Sequence, residues 1–360
     1  MSMAMASDPI GQPLRGRGSN INPANRFEAL HYEPEDWCEP DTESRPLRTQ
    51  FLVDDSQSII SYNNSPDIGF DASLNPYRGC EHGCAYCYAR PTHEYLGFSA
   101  GIDFESRILV KSKAAELLAA ELLRPSWKPK NLALSGVTDA YQPIERKLQI
   151  TRSCLRVLVD FRNPVSVVTK NHLVTRDADY LGELARVNAS AVCLSITSLD
   201  PKLARILEPR ASSPSHRLEA IATLHQAGVP VGVNVAPIIP GINEHEVPSV
   251  TAAAAKAGAQ FASYTMIRLP LTVAPIFVAW VETHFPERKE KILGRIRSMR
   301  NGKLNSAEFG ARMRGDGPMA EEIRQMFLVS CRRAGLNKAR TELSTAAFRR
   351  VLPNQMELTL

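Results

Sequence analysis

Three cysteines fall within eight residues of the segment Asn75-Pro-Tyr-Arg-Gly-Cys80-Glu-His-Gly-Cys84-Ala-Tyr-Cys87-Tyr-Ala-Arg90, in the spacing Cys-x3-Cys-x2-Cys. Four cysteines would saturate a cubane iron–sulfur cluster and suit it to electron transfer. Three leave one iron without a protein ligand, open to a substrate or cofactor. The rival chemistry is a zinc site with His82 or His93 as fourth ligand. Structural zinc sites come as two Cys-x2-Cys pairs, or as one pair with a spaced pair of histidines. Only Cys84 and Cys87 make such a pair here, so the pattern favours the cluster. The remaining cysteines, Cys38, Cys154, Cys193 and Cys331, are scattered singly. A disulfide framework would instead be a dispersed, even set in a short secreted chain. With no second cysteine cluster, one iron–sulfur site is expected.

Regular elements have to position that loop. Short apolar runs read as strands at Ser73–Pro76, Leu132–Ser135, Val165–Thr169, Val192–Ile196, Val231–Val235 and Ala262–Ile267. Amphipathic segments between them, Lys113–Leu123, Ile144–Asp160, Asp177–Arg186, Ser215–Ala227 and Glu246–Ala257, read as helices. Ala227-Gly228-Val229-Pro230 carries a glycine stop, and Asp200-Pro201 an N-cap followed by proline at the first helical position. Strand–helix units in series imply an α/β fold with a parallel sheet and right-handed crossovers. Six units can close partly into a TIM-like barrel or open into a doubly wound sheet, and spacing alone does not separate the two. In a barrel, chemistry sits at the C-terminal strand ends. Polar residues gather there: Arg78-Gly79-Cys80, Thr138-Asp139, Lys170-Asn171, Thr197-Ser198 and Asn234.

The division expected is an extended, partly disordered arm over 1–50, with Gly16-Arg17-Gly18 and Trp37 as a pin to the body. A core barrel over 51–285 follows, then a basic, mainly helical extension over 286–360 with a helix at Phe327–Ala334 ended by Gly335. Hydrophobic residues are 44% and charged residues 22%, which is globular composition. The longest late apolar stretch, Leu271–Trp280, contains Pro275 and is far shorter than the ~18 residues a membrane span needs. The first residues lack the apolar centre of a secretory signal. These observations point to the cytoplasm and away from the membrane. The net charge is +5, and the stretch Arg288–Arg314 is rich in Lys and Arg. That stretch reads as a solvated helix face or as a track for a phosphate backbone. Dinucleotide, Walker and Gly-x-Ser-x-Gly motifs are missing from the sequence.

The Cys80–Cys87 segment resembles the signature of the radical S-adenosylmethionine (SAM) superfamily. The wider chain resembles its spore photoproduct lyase-like branch through Ser65–Asp71, Asn75–Cys84, Ala89–Tyr95, Thr138–Glu145 and Glu208-Pro209-Arg210. The resemblance implies a partial (βα)6 barrel and a [4Fe–4S] cluster on Cys80, Cys84 and Cys87. It implies that SAM binds the open iron and is reductively cleaved to a 5′-deoxyadenosyl radical. It further implies a reductant of flavodoxin or ferredoxin type and, by analogy with the lyase, a nucleic-acid substrate. Among the strand-end residues it assigns Tyr86 to the adenine, Thr138 and Asp139 to the SAM amino group, Lys170 to its carboxylate, and Ser195 to the carboxylate or ribose. Arg210 and Asn234 are weaker candidates. Tyr88, next to the cluster and oxidisable, is a candidate radical relay. The lyase's hydrogen-donor cysteine at the end of the second strand has no counterpart, since Gly136 stands there; thymine photoproduct repair is therefore not expected. The competing reading is a non-catalytic protein in which a cluster or zinc stabilises a nucleic-acid-binding scaffold.

Overall fold

The computed structural model describes residues 14–28, 47–339 and 341–350; Trp37 and Cys38 lie outside the described residues. Its strands, in chain order, are β1 (Gln50–Val53), β2 (Ile60–Tyr62), β3 (Ala72–Leu74), β4 (Tyr77–Arg78), β5 (Arg107–Val110), β6 (Leu132–Leu134), β7 (Val165–Thr169), β8 (Ser190–Ser195), β9 (Val231–Ile238) and β10 (Phe261–Met266). The main sheet runs β2-β3-β6-β7-β8-β9-β10. Every pair in it is parallel except β2 against β3. The six parallel strands neighbour one another in chain order. A doubly wound sheet reverses that order at a switch point; this one never does, so it curls one way as a partial barrel.

Helices fill the crossovers: α1 (Ile102–Ser106), α2 (Ala114–Leu123), α3 (Glu145–Leu148), α4 (Ile150–Phe161), α5 (Ala178–Ala185), α6 (Pro201–Leu207), α7 (Pro214–Gln226) and α8 (Val247–Lys256). Their local causes are legible in the sequence. Asp200 caps α6 by accepting from Lys202 N at 2.8 Å, with Pro201 at the first helical position. Ser213 and Pro214 start α7 in the same way. The expected helix Ile144–Asp160 is divided. Gln149 adopts a left-handed conformation, φ 52°, because the buried Glu145 carboxylate turns back to accept from Thr151 N at 3.1 Å and so caps α4.

The strands bury Leu74, Leu134, Val165, Val167, Val192, Leu194, Val231 and Val233 in one core with the inner faces of α2, α4, α5, α7 and α8. Helices α9 (Val273–His284) and α10 (Lys289–Ser298) form a second core, in which Phe277, Trp280, Ile292 and Ile296 pack beside Cys84, Ala85 and Tyr86. After α11 (Ala311–Arg314), helix α12 (Pro318–Ala334) lies along α8 and reaches β10 through Phe327 and Tyr264. It begins well before the expected Phe327, and Gly335 ends it at φ 71°.

A second, small sheet, β1-β5-β4, has no clear signature in the sequence because its strands are two to four residues long. It matters because β4 delivers the chain directly into Gly79-Cys80. Helix α9 takes up most of the apolar stretch Leu271–Trp280. Among the described residues no helix is long and apolar enough to cross a membrane.

Candidate functional site

The loop from Gly79 to Tyr88 enters the open end of the barrel, and three segments fasten it. The first is the arm. Arg90, fully buried, donates through Nε and Nη2 to the Cys84 carbonyl at 3.1 and 2.9 Å and pairs with the buried Glu105. Glu105 in turn accepts from the backbone amides of Gly18 and Ser19 at 3.0 and 2.9 Å. The Gly16-Arg17-Gly18 segment, expected in an irregular arm, therefore lies directly against the cysteine loop. A Cβ on Gly18 would stand 1.6 Å from the Gly83 carbonyl oxygen, so only glycine fits there.

The second segment follows α6. Leu207 O accepts from Ala85 N at 3.2 Å, and Arg210 N donates to His82 O at 3.2 Å. The buried Glu208 carboxylate accepts from the Tyr86 hydroxyl, from Thr197 Oγ1 and from Arg217, which is itself buried. Burial opposes this charge, but Arg217 and Lys170 outweigh it and hold the Glu208 carboxyl below its ordinary value. The Arg210 guanidinium faces Glu81 Oε1 and Thr49 Oγ1, both at 3.2 Å, on the outside of the loop. It is thus an Arg–Glu pair bracing the loop.

The third fastening is Asp139. Its carboxylate accepts from Thr169 Oγ1 at 2.8 Å, Lys170 N at 2.9 Å and Tyr141 N at 2.9 Å, and faces His82 Nδ1 at 3.3 Å. Burial works against the charge, but His82 and the two backbone amides prevail and hold the carboxyl at about 2. What Asp139 does in this structure is tie the ends of β6 and β7 to the cysteine loop. The Asn171 amide is oriented by Leu173 N donating to its oxygen at 3.0 Å, so its NH2 faces His82 Nε2 at 3.2 Å.

These segments enclose a cavity of about 540 Å3 at the C-terminal strand ends. Cys80, Cys84, Cys87, Tyr86, Tyr88, Thr138, Asp139, Lys170, Ser195 and Asn234 all line it. The candidates named from the sequence, except Arg210 and His93, thus meet in one place, including residues as distant in the chain as Cys80 and Asn234. Cys80 and Cys84 are buried and Cys87 half-buried. Burial raises all three thiols above the ordinary range, with Asp139 adding to the effect at Cys80. The three thiols line this cavity together, although among the described residues no group of three His, Cys, Asp or Glu side chains is drawn together closely enough to hold a single metal ion. Neither histidine offered as a fourth ligand is free for one: both nitrogens of His82 are engaged, and His93 is packed between Phe98 and Phe104 away from the cavity.

Around the thiols, Lys170 is an ammonium without an ion pair among the described residues. Burial lowers its pKa, but the charges of Glu208 and Cys84 more than offset this and raise it. Its Nζ stands 5.9 Å from the centre of the Tyr86 ring. Ser195 ends β8 opposite Asn234, whose amide oxygen accepts from Ser263 Oγ at 3.0 Å. Thr138 Oγ1 donates to Tyr77 O at 2.8 Å, and so faces the scaffold. The Tyr88 hydroxyl donates to Gly136 O at 2.9 Å across the cavity mouth. Sequence reasoning placed Arg90 and Glu208 inside motifs but assigned them no role, and it missed Glu105 and Arg217. An Arg or Glu reads as surface until its partner, here up to 122 residues away for Tyr86 and Glu208, is known to be adjacent.

Residues 74–253, half of the chain, match the family model of the Radical SAM superfamily. The protein belongs to that superfamily. Among curated proteins it is 34% identical to the uncharacterized protein Rv2578c of Mycobacterium tuberculosis, over 62% of this chain and 66% of that one. It is 30% identical to the uncharacterized protein MJ0683 of Methanocaldococcus jannaschii, over 48% of this chain and 62% of that one. The chain thus spans just under two thirds of the length of these relatives. Among solved structures the fold is shared with spore photoproduct lyase, at TM-scores of 0.56 for a mutant of the lyase and 0.55 for its complex with dinucleoside spore photoproduct. Sequence identity is 18%, and 79% of this chain and 80% of the lyase are covered.

Proposed function

We propose that this protein is a radical SAM enzyme that holds one [4Fe–4S] cluster on Cys80, Cys84 and Cys87. The group supplies reductive cleavage of SAM, giving a 5′-deoxyadenosyl radical that takes a hydrogen atom from a second substrate. The observation that carries the reading is the convergence of the three thiols with Lys170, Ser195 and Asn234 on one strand-end cavity. In this reading Lys170 meets the SAM carboxylate, because it is the charged, unpaired ammonium nearest the thiols, and Ser195 donates beside it. Tyr86 is a positioning residue whose ring borders the cavity while Glu208 fixes its hydroxyl. Asp139 and Thr138 set the loop after β6 and leave the SAM amino group to backbone carbonyls there. Tyr88 packs at the mouth in this reading, its hydroxyl donating to Gly136 O, and its role as a radical relay stays a proposal.

The electron has to come from an external low-potential donor of flavodoxin or ferredoxin type. A nucleic acid as second substrate is supported by the likeness to spore photoproduct lyase only at the level of fold. Gly136 occupies the strand-two position where repair chemistry would place a thiol, and a Cβ there would stand 2.8 Å from Ser73 Cβ. We therefore place the substrate outside thymine photoproducts.

The test is anaerobic reconstitution with iron and sulfide, addition of SAM and dithionite, and chromatography for 5′-deoxyadenosine. Wild type is expected to form it and Cys84→Ala to bind no cluster and form none. Undiminished SAM cleavage by Cys84→Ala would sink the assignment.

A further inference from the structure

The cavity contains a second cation that the SAM chemistry does not use. Arg268 follows β10 and reaches the mouth from the far edge of the barrel, where its guanidinium lies 5.3 Å from the centre of the Tyr88 ring. Tyr88 is in turn bonded to Gly136 after β6. This chain of contacts spans the opening from one side of the sheet to the other. Arg268 Nε is buried without a partner, and Nη1 meets only the thioether sulfur of Met313, at 3.5 Å, which is a weak acceptor. No carboxylate pairs with it among the described residues. The carboxylate whose charge it feels, Asp67, is already clasped by Arg312 through both oxygens and by Gly310 N. A half-buried guanidinium with no carboxylate at its fork carries an uncompensated desolvation cost. Facing a ligand chamber, that arrangement is what a site awaiting an anion looks like, since a guanidinium matches a carboxylate or phosphate with two parallel hydrogen bonds.

We propose that Arg268 anchors an oxyanion, a carboxylate or a phosphate, carried by the second substrate; this rests on the reading of the cavity as the reaction chamber. The aromatic wall beside it, Tyr88 with Tyr62 and Phe70 across the cavity, makes a small ring bearing the anion the natural probe. The experiment titrates phenyl phosphate, benzoate and neutral benzyl alcohol into the full chain with 13C-methyl methionine. Met313 beside Arg268 is the reporter, assigned by a Met313→Leu variant, and the titration is run before and after cluster reconstitution.

Phenyl phosphate or benzoate is expected to shift the Met313 methyl, and benzyl alcohol to leave it in place. Arg268→Gln is expected to raise Kd for the anion at least tenfold, Arg268→Lys to raise it less, and Lys303→Gln, on the exposed surface, to leave it unchanged. Preference for phenyl phosphate assigns a phosphate-bearing substrate and preference for benzoate a carboxylate. No Met313 shift with either anion overturns the proposal, as does an equal Kd in Arg268→Gln whose melting temperature matches wild type. Because the titration needs no SAM cleavage, failure of the radical SAM reading would show up separately, as absent 5′-deoxyadenosine beside an intact Met313 response.

Discussion

Glu208 orders three other side chains of the site at once. Its carboxylate gathers Tyr86, Thr197 and Arg217 in a buried network. Removing one member of a buried charge pair strands the other, at a cost of about 3–5 kcal/mol. Glu208→Gln should lose that much in denaturant unfolding of the reconstituted protein, and a loss under ~1 kcal/mol would show that the network is dispensable. His93 gives a second test among single residues, one that reads pH. Burial lowers its pKa from 6.5 to about 4. The unfolded chain therefore takes up a proton in that window that the native chain refuses. The neutral imidazole contributes its full stability above pH 6.5 and loses it as pH falls toward 4. Between about pH 7 and pH 5 this amounts to about 2 kcal/mol. His93→Gln should flatten the stability–pH profile by that amount, measured against wild type in the same buffers.

Among the elements, the cysteine loop is an irregular segment held by partners from three distant stretches of chain. The arm is the least expected of these. A Cβ on Gly18 would lie 1.6 Å from the Gly83 oxygen, so Gly18→Ala has to push the arm off Glu105 and release Arg90 from part of its network. Iron bound per chain after reconstitution should fall severalfold. Gly69→Ala, where a Cβ meets nothing within 4 Å, should load normally. Equal iron in both variants would show that the arm does not support the loop. Sequence reading also meets its limit in these elements. Val165–Thr169 is legible to the residue because a β-branched run flanked by turns admits one reading. The break at Gln149 is invisible because its cause, the Glu145 carboxylate, is set by Tyr77 and Arg176 from other parts of the fold.

For the whole molecule, the open edge of the partial barrel poses a problem that the C-terminal segment solves. Strand β10 is an edge, and unpaired edges invite association. Asn337 closes it by accepting from Ala262 N at 2.8 Å and donating to Ala262 O at 3.0 Å. Helix α12 packs Phe327 against Tyr264 at 4.7 Å between ring centroids. Phe327→Ala should cost about 3–5 kcal/mol, read as a lowered denaturant midpoint. Asn337→Ala should raise the tendency to self-associate, read by light scattering. A variant that associates no more than wild type at high concentration would show that α12 alone protects the edge.

The cysteine spacing, the βα rhythm and the polar residues at strand ends are all written in the linear chain. Each depends on neighbours within about ten positions, where period, capping and turn chemistry act. Three-dimensional packing was needed to make the six strands curl one way and to turn Glu208 and Glu105 into buried hubs. Packing also brought Asp139 to the cysteine loop and left Arg268 without a counter-ion at the mouth. Those outcomes depend on which charges meet between segments far apart in the chain. A carboxylate or guanidinium has the same sequence signature whether water or a buried partner satisfies it.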